Sequence, residues 1–581
     1  MWQNCPIRLK NQAQHIPRVE GKISSHMGIP LTPEKNAKYT RCDDLLQRFT
    51  DNVVAQIEEL GLNLCKLTRH SDFIRDKSNT RNSGFLEIVE TCRLDNGGIL
   101  PFNEVCSIPS LAGDNEKKTY VAFIPAAGAA SRYIQPFSSI LRIVEDISRR
   151  DLVDEDIEKI QDCVIYLKSI GADHWPLPQS IKFLLEASSI NNSTVSPNFW
   201  KKLLLDLNLP KALYPCVSDG YSFLELKDLE HRSIGKIYSQ VFVTPPSMAQ
   251  VFQMHLRYSQ LNRTPDSNDR IIETLYIEQG PKLSTIRFWD NGTPFLDFNN
   301  RISVVPAGHG ALTELFSEVQ ENFKFCHSLF IRNIDNITGT ATKTIAQTNA
   351  FLEAHEKILH ILKKIRHALL IGDMTGAAKV AEALDSLMCS QKPDFILNTL
   401  KSIPRELEPS EAYLWSVLVT LFHTQLPDEL NKNSLVKLYS RPFNLMGQVP
   451  NTQNDVGGTP CFVIYQNKIE KICIEVPHVS SDDLERFLKD PKKATHFNPV
   501  FVAAEIPLEQ GYYEKRNEEL CLLSKKKFRG YDVNYIETVL YEQLGNSKLT
   551  NCIFVELPRD LFNPHKNPKD SVGRSIDSWK I

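Results

Sequence analysis

Asp335 stands at the end of a short apolar run. Ser328-Leu329-Phe330-Ile331 leads directly into Arg332-Asn333-Ile334-Asp335-Asn336. A strand ending this way puts a carboxylate at the carboxyl edge of a sheet, where ligands bind in open α/β folds. Upstream lies Val304-Val305-Pro306-Ala307-Gly308-His309-Gly310-Ala311-Leu312, followed by a helix-like segment. A glycine turn about one helix upstream can bring bare backbone amides to the same edge. Carboxylate and glycine turn together suit a nucleotide with its magnesium ion, which prefers one or two carboxylates plus substrate phosphates. Taken singly, Asp335 also fits an Asx turn, and Gly308-His309-Gly310 fits a tight turn before a helix.

Three further motifs could do chemistry. Tyr120-Val121-Ala122-Phe123-Ile124-Pro125 reads as a buried strand and opens into Ala126-Ala127-Gly128-Ala129-Ala130-Ser131-Arg132. Small side chains let backbone N–H groups approach phosphate oxygens, and an arginine adds a charged fork. The loop has no Gly-Lys-Ser/Thr and one glycine, so it is neither a P-loop nor a dinucleotide fingerprint. In Leu209-Pro210-Lys211-Ala212-Leu213-Tyr214-Pro215 a lysine lies between two prolines, which restrict the backbone and suit a cation aimed at one place. Near the end, the strand Cys552–Leu557 leads to Leu561-Phe562-Asn563-Pro564-His565-Lys566, where Lys566 again sits in a turn bracketed by prolines. A surface lysine in a turn is the plainer reading of both.

Elements to position these groups follow from periodicity. Leu45, Phe49, Val53, Ile57 and Leu60 recur at helical spacing, as do Phe351, Ile358, Leu362, Ile365 and Leu369. Strands are expected at Tyr120–Ile124, Gln240–Thr244, Ile271–Ile277, Ser328–Ile331, Phe462–Tyr465, Ile472–Val476, Val500–Ala504 and Cys552–Leu557. The texture divides the chain into a loose leader (1–40), a helical region (41–118), an α/β core (119–340) with a helical insertion (139–208), a second helical insertion (341–435) and a strand-rich C-terminal part (436–581).

Composition narrows the class. At 581 residues the chain is long enough for several domains. A net charge of −3 gives no basic field for nucleic acid or anionic membrane. No apolar run reaches the roughly 18–20 residues of a spanning helix. The 13 cysteines include no Cys-x-x-Cys pair, which fits free or buried thiols in a reducing cytoplasm and not a zinc site.

The order of the motifs carries a resemblance. A small-residue loop with arginine, Pro-Lys-x-Leu, Gly-His-Gly, Asn-x-Asp-Asn and Phe-x-Pro-x-Lys occur in that sequence. The chain resembles the UDP-sugar pyrophosphorylases, the group that includes UTP–glucose-1-phosphate uridylyltransferase and UDP-N-acetylhexosamine pyrophosphorylase. From about Leu45 to Arg574 it is also similar to a bacterial domain-of-unknown-function family, itself like a divergent branch of that fold. Pro125–Arg132, Leu209–Lys211, Pro306–Leu312, Asn333–Asn336, Thr495–Val500 and Phe554–Lys566 fit that family's pattern. His565 stands where the pyrophosphorylases usually have valine, and Tyr133 follows Arg132 where they often have a small residue.

The resemblance implies a glycosyltransferase-A-like three-layer α/β core with a mixed, mostly parallel sheet and helical insertions. It implies a magnesium-dependent nucleotidyltransferase that moves a nucleoside monophosphate, UMP favoured, from a triphosphate to a sugar-1-phosphate and releases pyrophosphate. On this reading Ala127, Gly128, Ala129, Ala130 and Ser131 wrap the triphosphate through backbone amides, and Arg132 meets the leaving pyrophosphate. Lys211 and Lys566 bind phosphate near the reacting centre. Gly308, His309 and Gly310 face the base, and Asp335 holds Mg2+. Asn336, Gly457 and Gly458 touch the sugar side, with Gly447-Gln448-Val449-Pro450 nearby. Two other functions stay open: nucleotidyl transfer to a non-sugar acceptor such as a protein, and an inactive nucleotide-binding scaffold.

Overall fold

The computed structural model describes residues 49–79, 86–111, 120–128, 131–148, 152–187, 196–262, 270–324, 326–388, 391–452, 457–465, 468–507, 512, 521–528, 530–575 and 577. The leader expected over residues 1–40, and Leu45, lie outside them. The described elements belong to one compact unit, Arg48–Ile581.

A mixed sheet organises this unit. Its strands are β1 (Tyr120–Pro125), β2 (Ile237–Thr244), β3 (Glu273–Glu278), β4 (Ser328–Arg332), β5 (Phe443–Pro450), β6 (His496–Phe497), β7 (Phe501–Glu505) and β8 (Asn551–Glu556). The order is β6-β5-β7-β4-β1-β2-β3, with β8 also on β5. Pairings β4–β1, β1–β2, β2–β3 and β5–β8 are parallel. β7 is antiparallel to both β4 and β5, and β6 to β5. The expected "mostly parallel" sheet therefore holds for its first four strands, and the C-terminal strands make it mixed.

β1 is apolar along its length because both of its faces are covered, as parallel strands require. Tyr120, Ala122 and Ile124 enter one core, while Val121 and Phe123 enter the other. The first core is closed by helix α1 (Phe223–Ser233), the long helix α2 (Thr342–Ile371) and helix Pro409–Leu421. The expected stripe Phe351, Ile358, Leu362, Ile365 and Leu369 is buried there on α2. Tyr120 Oη donates to the Leu352 carbonyl at 2.8 Å, which ties β1 to that helix. The second core packs against Phe316 and Val319 and against a three-stranded antiparallel sheet formed by Glu87–Thr91, Thr459–Tyr465 and Lys468–Ile474. The strand Glu87–Thr91 lies within the stretch 41–118 expected to be mainly helical. Its five residues are too few to show a period, and its partners lie far along the chain.

Four helices between Ser138 and Leu207 build a core of their own around Trp175 and Trp200. Among the described residues no helix is long and apolar enough to cross a membrane. Most of the cysteines whose side chains are described are buried.

β6 and β7 are two halves of one interrupted strand. Five steps from Phe497 to Val502 face three on β5, from Val449 to Met446. The surplus is taken up at Asn498–Val500. Val500 adopts φ +60°, an outlier for a β-branched residue, and the Asn498 side chain accepts from its N–H at 2.8 Å. The expected strand Val500–Ala504 accordingly begins one residue later.

The helical block is joined to the sheet through a buried ion pair. Arg366 of α2 grips Glu505 of β7 with two guanidinium nitrogens, at 2.6 and 2.9 Å. The second Glu505 oxygen also accepts from the N–H of Phe443 at 2.8 Å. Glu505→Ala should destabilise the chain by about 1–3 kcal/mol, because it leaves a partly buried guanidinium with only the Tyr439 and Arg441 carbonyls as partners. Denaturant unfolding measures this; a loss near zero would show that α2 docks through its apolar stripe alone.

Candidate active site

Several segments meet at the carboxyl ends of β1 and β4. After β1, the N–H of Ala126 donates to the Val243 carbonyl at 2.9 Å and keeps the small-residue loop on the sheet. Ala127 is half-buried and Gly128 exposed. Ala129 and Ala130 lie outside the described residues. Ser131 and Arg132 open the short helix Ser131–Ile134.

The loop is tied to the expected lysine. The Gly128 carbonyl accepts from the N–H of Lys211 at 3.2 Å. Pro210 fixes the entry to a single turn of 3-10 helix, Lys211–Leu213. The Lys211 ammonium then lies 2.9 Å from Asp335 Oδ2. It also sits 5.1 Å from the ring centre of Tyr133 and 5.3 Å from that of Phe223. Tyr133 is buried edge-to-face against Tyr214 and Phe223. The bulk after Arg132 thus goes into the core and forms part of the seat for Lys211.

Asp335 and Asn336 are held by the C-terminal loop. The Asp335 carbonyl accepts from the N–H of His565 at 2.9 Å. The Asn336 side chain accepts from the N–H of Asn563 at 2.9 Å and donates to the Leu561 carbonyl at 3.1 Å. Asn336, expected on the sugar side, is buried and has both ends of its amide committed to that loop. Lys566 follows His565 and is half-buried; its N–H donates to Asp570 Oδ2 at 2.8 Å. The loop is braced from within. His565 Nδ1 lies 2.7 Å from Ser571 Oγ, and Arg574 donates to His565 Nε2 at 3.1 Å and to Asn563 Oδ1 at 2.8 Å. Burial first, then the charges of Arg574 and Lys211, pull the His565 pKa down to about 3.

The glycine turn follows β-strand Val304–Pro306 and enters the 3-10 helix His309–Leu315. Gly308 has φ +88°, and a Cβ on Gly310 would lie 2.6–2.7 Å from the backbone of Thr538 and Val539. The close approach expected here is therefore made by the chain's own backbone. Beside the turn is a slot lined by Pro125, His309, Leu312, Thr313, Asn333 and the strained Val500. Gly457 and Gly458 are likewise packing glycines in this structure. A Cβ on Gly457 would meet Phe497 at 2.6 Å, and one on Gly458 would meet the Tyr541 ring at 2.5 Å. The Gly458 carbonyl accepts from the N–H of Asn498 at 2.8 Å.

A buried charge cluster behind Asp335 escaped the sequence reading. Lys227 donates to Glu230 Oε2 at 2.8 Å and to the Asn336 carbonyl. Arg332 donates to Glu230 Oε2 at 3.3 Å and to the same carbonyl at 3.0 Å. Burial, then the Arg332 charge, pull the Lys227 pKa down to about 8, against the attraction of Glu230. Burial alone would raise Glu230, but Lys227 and Arg332 outweigh it and hold the carboxyl below its ordinary range. The available signals were an arginine closing an apolar strand and the Ser222-x-x-Glu225 capping box that starts α1.

Asp335 is the one carboxylate placed for a metal among the residues singled out. Among the described residues no group of three or more His, Cys, Asp or Glu side chains could hold an ion. The chain alone builds no metal cage, so magnesium fits here only as an ion shared with phosphate oxygens.

The fold and this site define an α/β protein with a lysine–carboxylate pair at the carboxyl edge of a mixed sheet. The chain belongs to the family described as Domain of unknown function (DUF4301), which matches residues 240–573. No curated protein matches the sequence. Among solved structures it is similar to UDP-glucose phosphorylase from Trypanosoma brucei, at 11% identity over 89% of this chain and 76% of that one, TM-score 0.40. A candidate UDP-N-acetylglucosamine pyrophosphorylase from Entamoeba histolytica matches at 10% identity over 85% and 86%, TM-score 0.38. UDP-glucose pyrophosphorylase from Leishmania major matches at 16% identity over 62% of this chain and 60% of its own length, TM-score 0.35.

Two outcomes follow from this geometry. Gly310→Ala should destabilise the chain by about 1–3 kcal/mol through overpacking, whereas Gly128→Ala, whose Cβ would meet nothing within 4 Å, should cost far less. Equal losses in thermal unfolding would contradict the packing role of Gly310. His565 has a folded pKa below its ordinary 6.5, so its neutral form stabilises the fold above that pH and the contribution is lost as pH falls toward about 3. His565→Gln should flatten the acid limb of stability by up to about 1.4 kcal/mol per pH unit; an unchanged limb would show that His565 does not titrate with unfolding.

Proposed function

We propose that this chain is a magnesium-dependent nucleotidyltransferase of the UDP-sugar pyrophosphorylase kind, on a glycosyltransferase-A-like core. It joins a nucleoside monophosphate, UMP favoured, to a sugar-1-phosphate. The observation that carries this reading is the 2.9 Å contact between Lys211 and Asp335, made where the small-residue loop, the β4 end and the Lys566 loop converge. The pair is partly buried, with side chains 13% and 26% exposed, and its value lies in what each partner can do for a ligand.

In the reaction a sugar-phosphate oxygen attacks the α-phosphorus of the triphosphate. The bond from that phosphorus to the bridging oxygen breaks, and pyrophosphate leaves with the electron pair. Little covalent help is needed; position and charge neutralisation do the work. Magnesium, when bound with the triphosphate, would be held by Asp335 and would neutralise phosphate charge. From its seat on Tyr133 and Phe223 the Lys211 ammonium can turn to phosphate oxygens. Gly128 offers a backbone with no side chain in the way, and Arg132 meets charge on the pyrophosphate. Lys566 reaches the sugar-phosphate side from the braced C-terminal loop. The base lies toward the His309 turn.

A direct assay is pyrophosphate release with Mg2+, each nucleoside triphosphate and a panel of sugar-1-phosphates, with UTP expected to turn over fastest. Lys211→Ala should lower the rate roughly 10²–10³-fold if the ammonium stabilises transition-state charge, and Asp335→Ala should abolish the metal-dependent rate. Either variant turning over like wild type would overturn the assignment of that residue. Nucleotide recovered on protein in place of sugar would move the acceptor to another class.

A further inference from the structure

Lys227, Glu230 and Arg332 lie at 0%, 1% and 0% exposure behind Asp335 and take no part in the chemistry above. Three charges out of water are expensive, and an apolar trio of the same size commonly packs as stably. Their bonds show what the cluster does. Lys227 and Arg332 both donate to the carbonyl of Asn336, Lys227 from α1 and Arg332 from β4. Glu230 Oε1 accepts from the N–H of Gly339 at 2.6 Å and from Thr338 Oγ1 at 3.2 Å. Arg332 also donates to Thr338 Oγ1 at 3.3 Å. Apart from the contacts within the trio, these bonds end on three of the four residues after Asp335: Asn336, Thr338 and Gly339. The Asp335 carbonyl itself is taken by His565. The peptide groups on either side of Asn336 are thus fixed from three elements, the second of them by charge-assisted bonds of the stronger kind.

We infer that Lys227, with Glu230 and Arg332, is a positioning residue: it clamps the Asn336 carbonyl so that the Asp335 carboxylate stands where a metal-borne triphosphate meets it. This rests on the nucleotidyltransferase reading. The clamp acts on the metal's ligand and not on the nucleotide, so its loss has a signature that general damage lacks. Partners that orient a metal ligand are worth roughly 10–100-fold in metal affinity, and here the metal is bound only together with phosphate.

Titration calorimetry with UTP, once with Mg2+ and once with EDTA, reads that signature. Lys227→Met should weaken UTP binding roughly 10–100-fold with Mg2+ and leave binding in EDTA unchanged. Lys227→Arg, which keeps a cation at the carbonyl, should recover most of the loss. Should Lys227→Met fail to fold, Glu230→Gln keeps the shape and removes the charge, and the same split is expected. Equal weakening with and without Mg2+, or wild-type binding by a folded variant, would overturn the proposal. A wild-type chain that binds no triphosphate in either condition sinks the nucleotide reading instead. Hydrogen exchange then decides the clamp: amides of residues 335–339 exchanging roughly tenfold faster in the variant keep it, and unchanged exchange overturns it.

Discussion

The backbone of Asp335–Ile337 is the seam on which this structure depends. β4 is a central strand, parallel to β1 and antiparallel to β7, and it ends there. The C-terminal loop lies along that end through the Asn336–Pro564 bridge and the bonds of Asn563 and His565. From the other side α1 reaches it through Lys227 and Glu230. A strand end is where the ladder stops supplying partners, and buried backbone groups must find others. In this chain those partners come from regions more than a hundred residues away in either direction. One short segment therefore joins the middle and last thirds of the chain, and the one carboxylate it presents meets Lys211.

Strands and helices with strong periodicity were legible in the sequence. β1, β2, β4 and β8 read correctly because strands buried on both faces are continuous apolar runs, and the stripe on α2 because thirty residues repeat the helical period many times. Lys211 beside Asp335 was legible only as an ordered pair of weak motifs; neither alone distinguishes a ligand from a turn residue.

The rest was hidden for physical reasons. A glycine announces a close approach and not what approaches. At Gly308 and Gly310 the neighbour is the strand end at Thr538, and at Gly457 and Gly458 it is Phe497 and Tyr541. The resemblance puts Asn336 on the sugar side, yet its amide is consumed by a loop more than two hundred residues on. Lys227 carries no signal of its own in the sequence, since burial of a charge depends on what packs over it. Tyr133 appeared too large for a phosphate loop until its ring proved to belong to the aromatic seat under Lys211.

In the proposed reaction, Asp335 and Lys211 hold each other until a triphosphate with its metal takes their place. The most direct measurement is a crystal structure of the chain with UTP and Mg2+. The account predicts the metal on Asp335 and the triphosphate along the Gly128 loop, with the Lys211 ammonium moved from the carboxylate to phosphate. A triphosphate bound elsewhere, with the 2.9 Å Lys211–Asp335 pair intact, would contradict it.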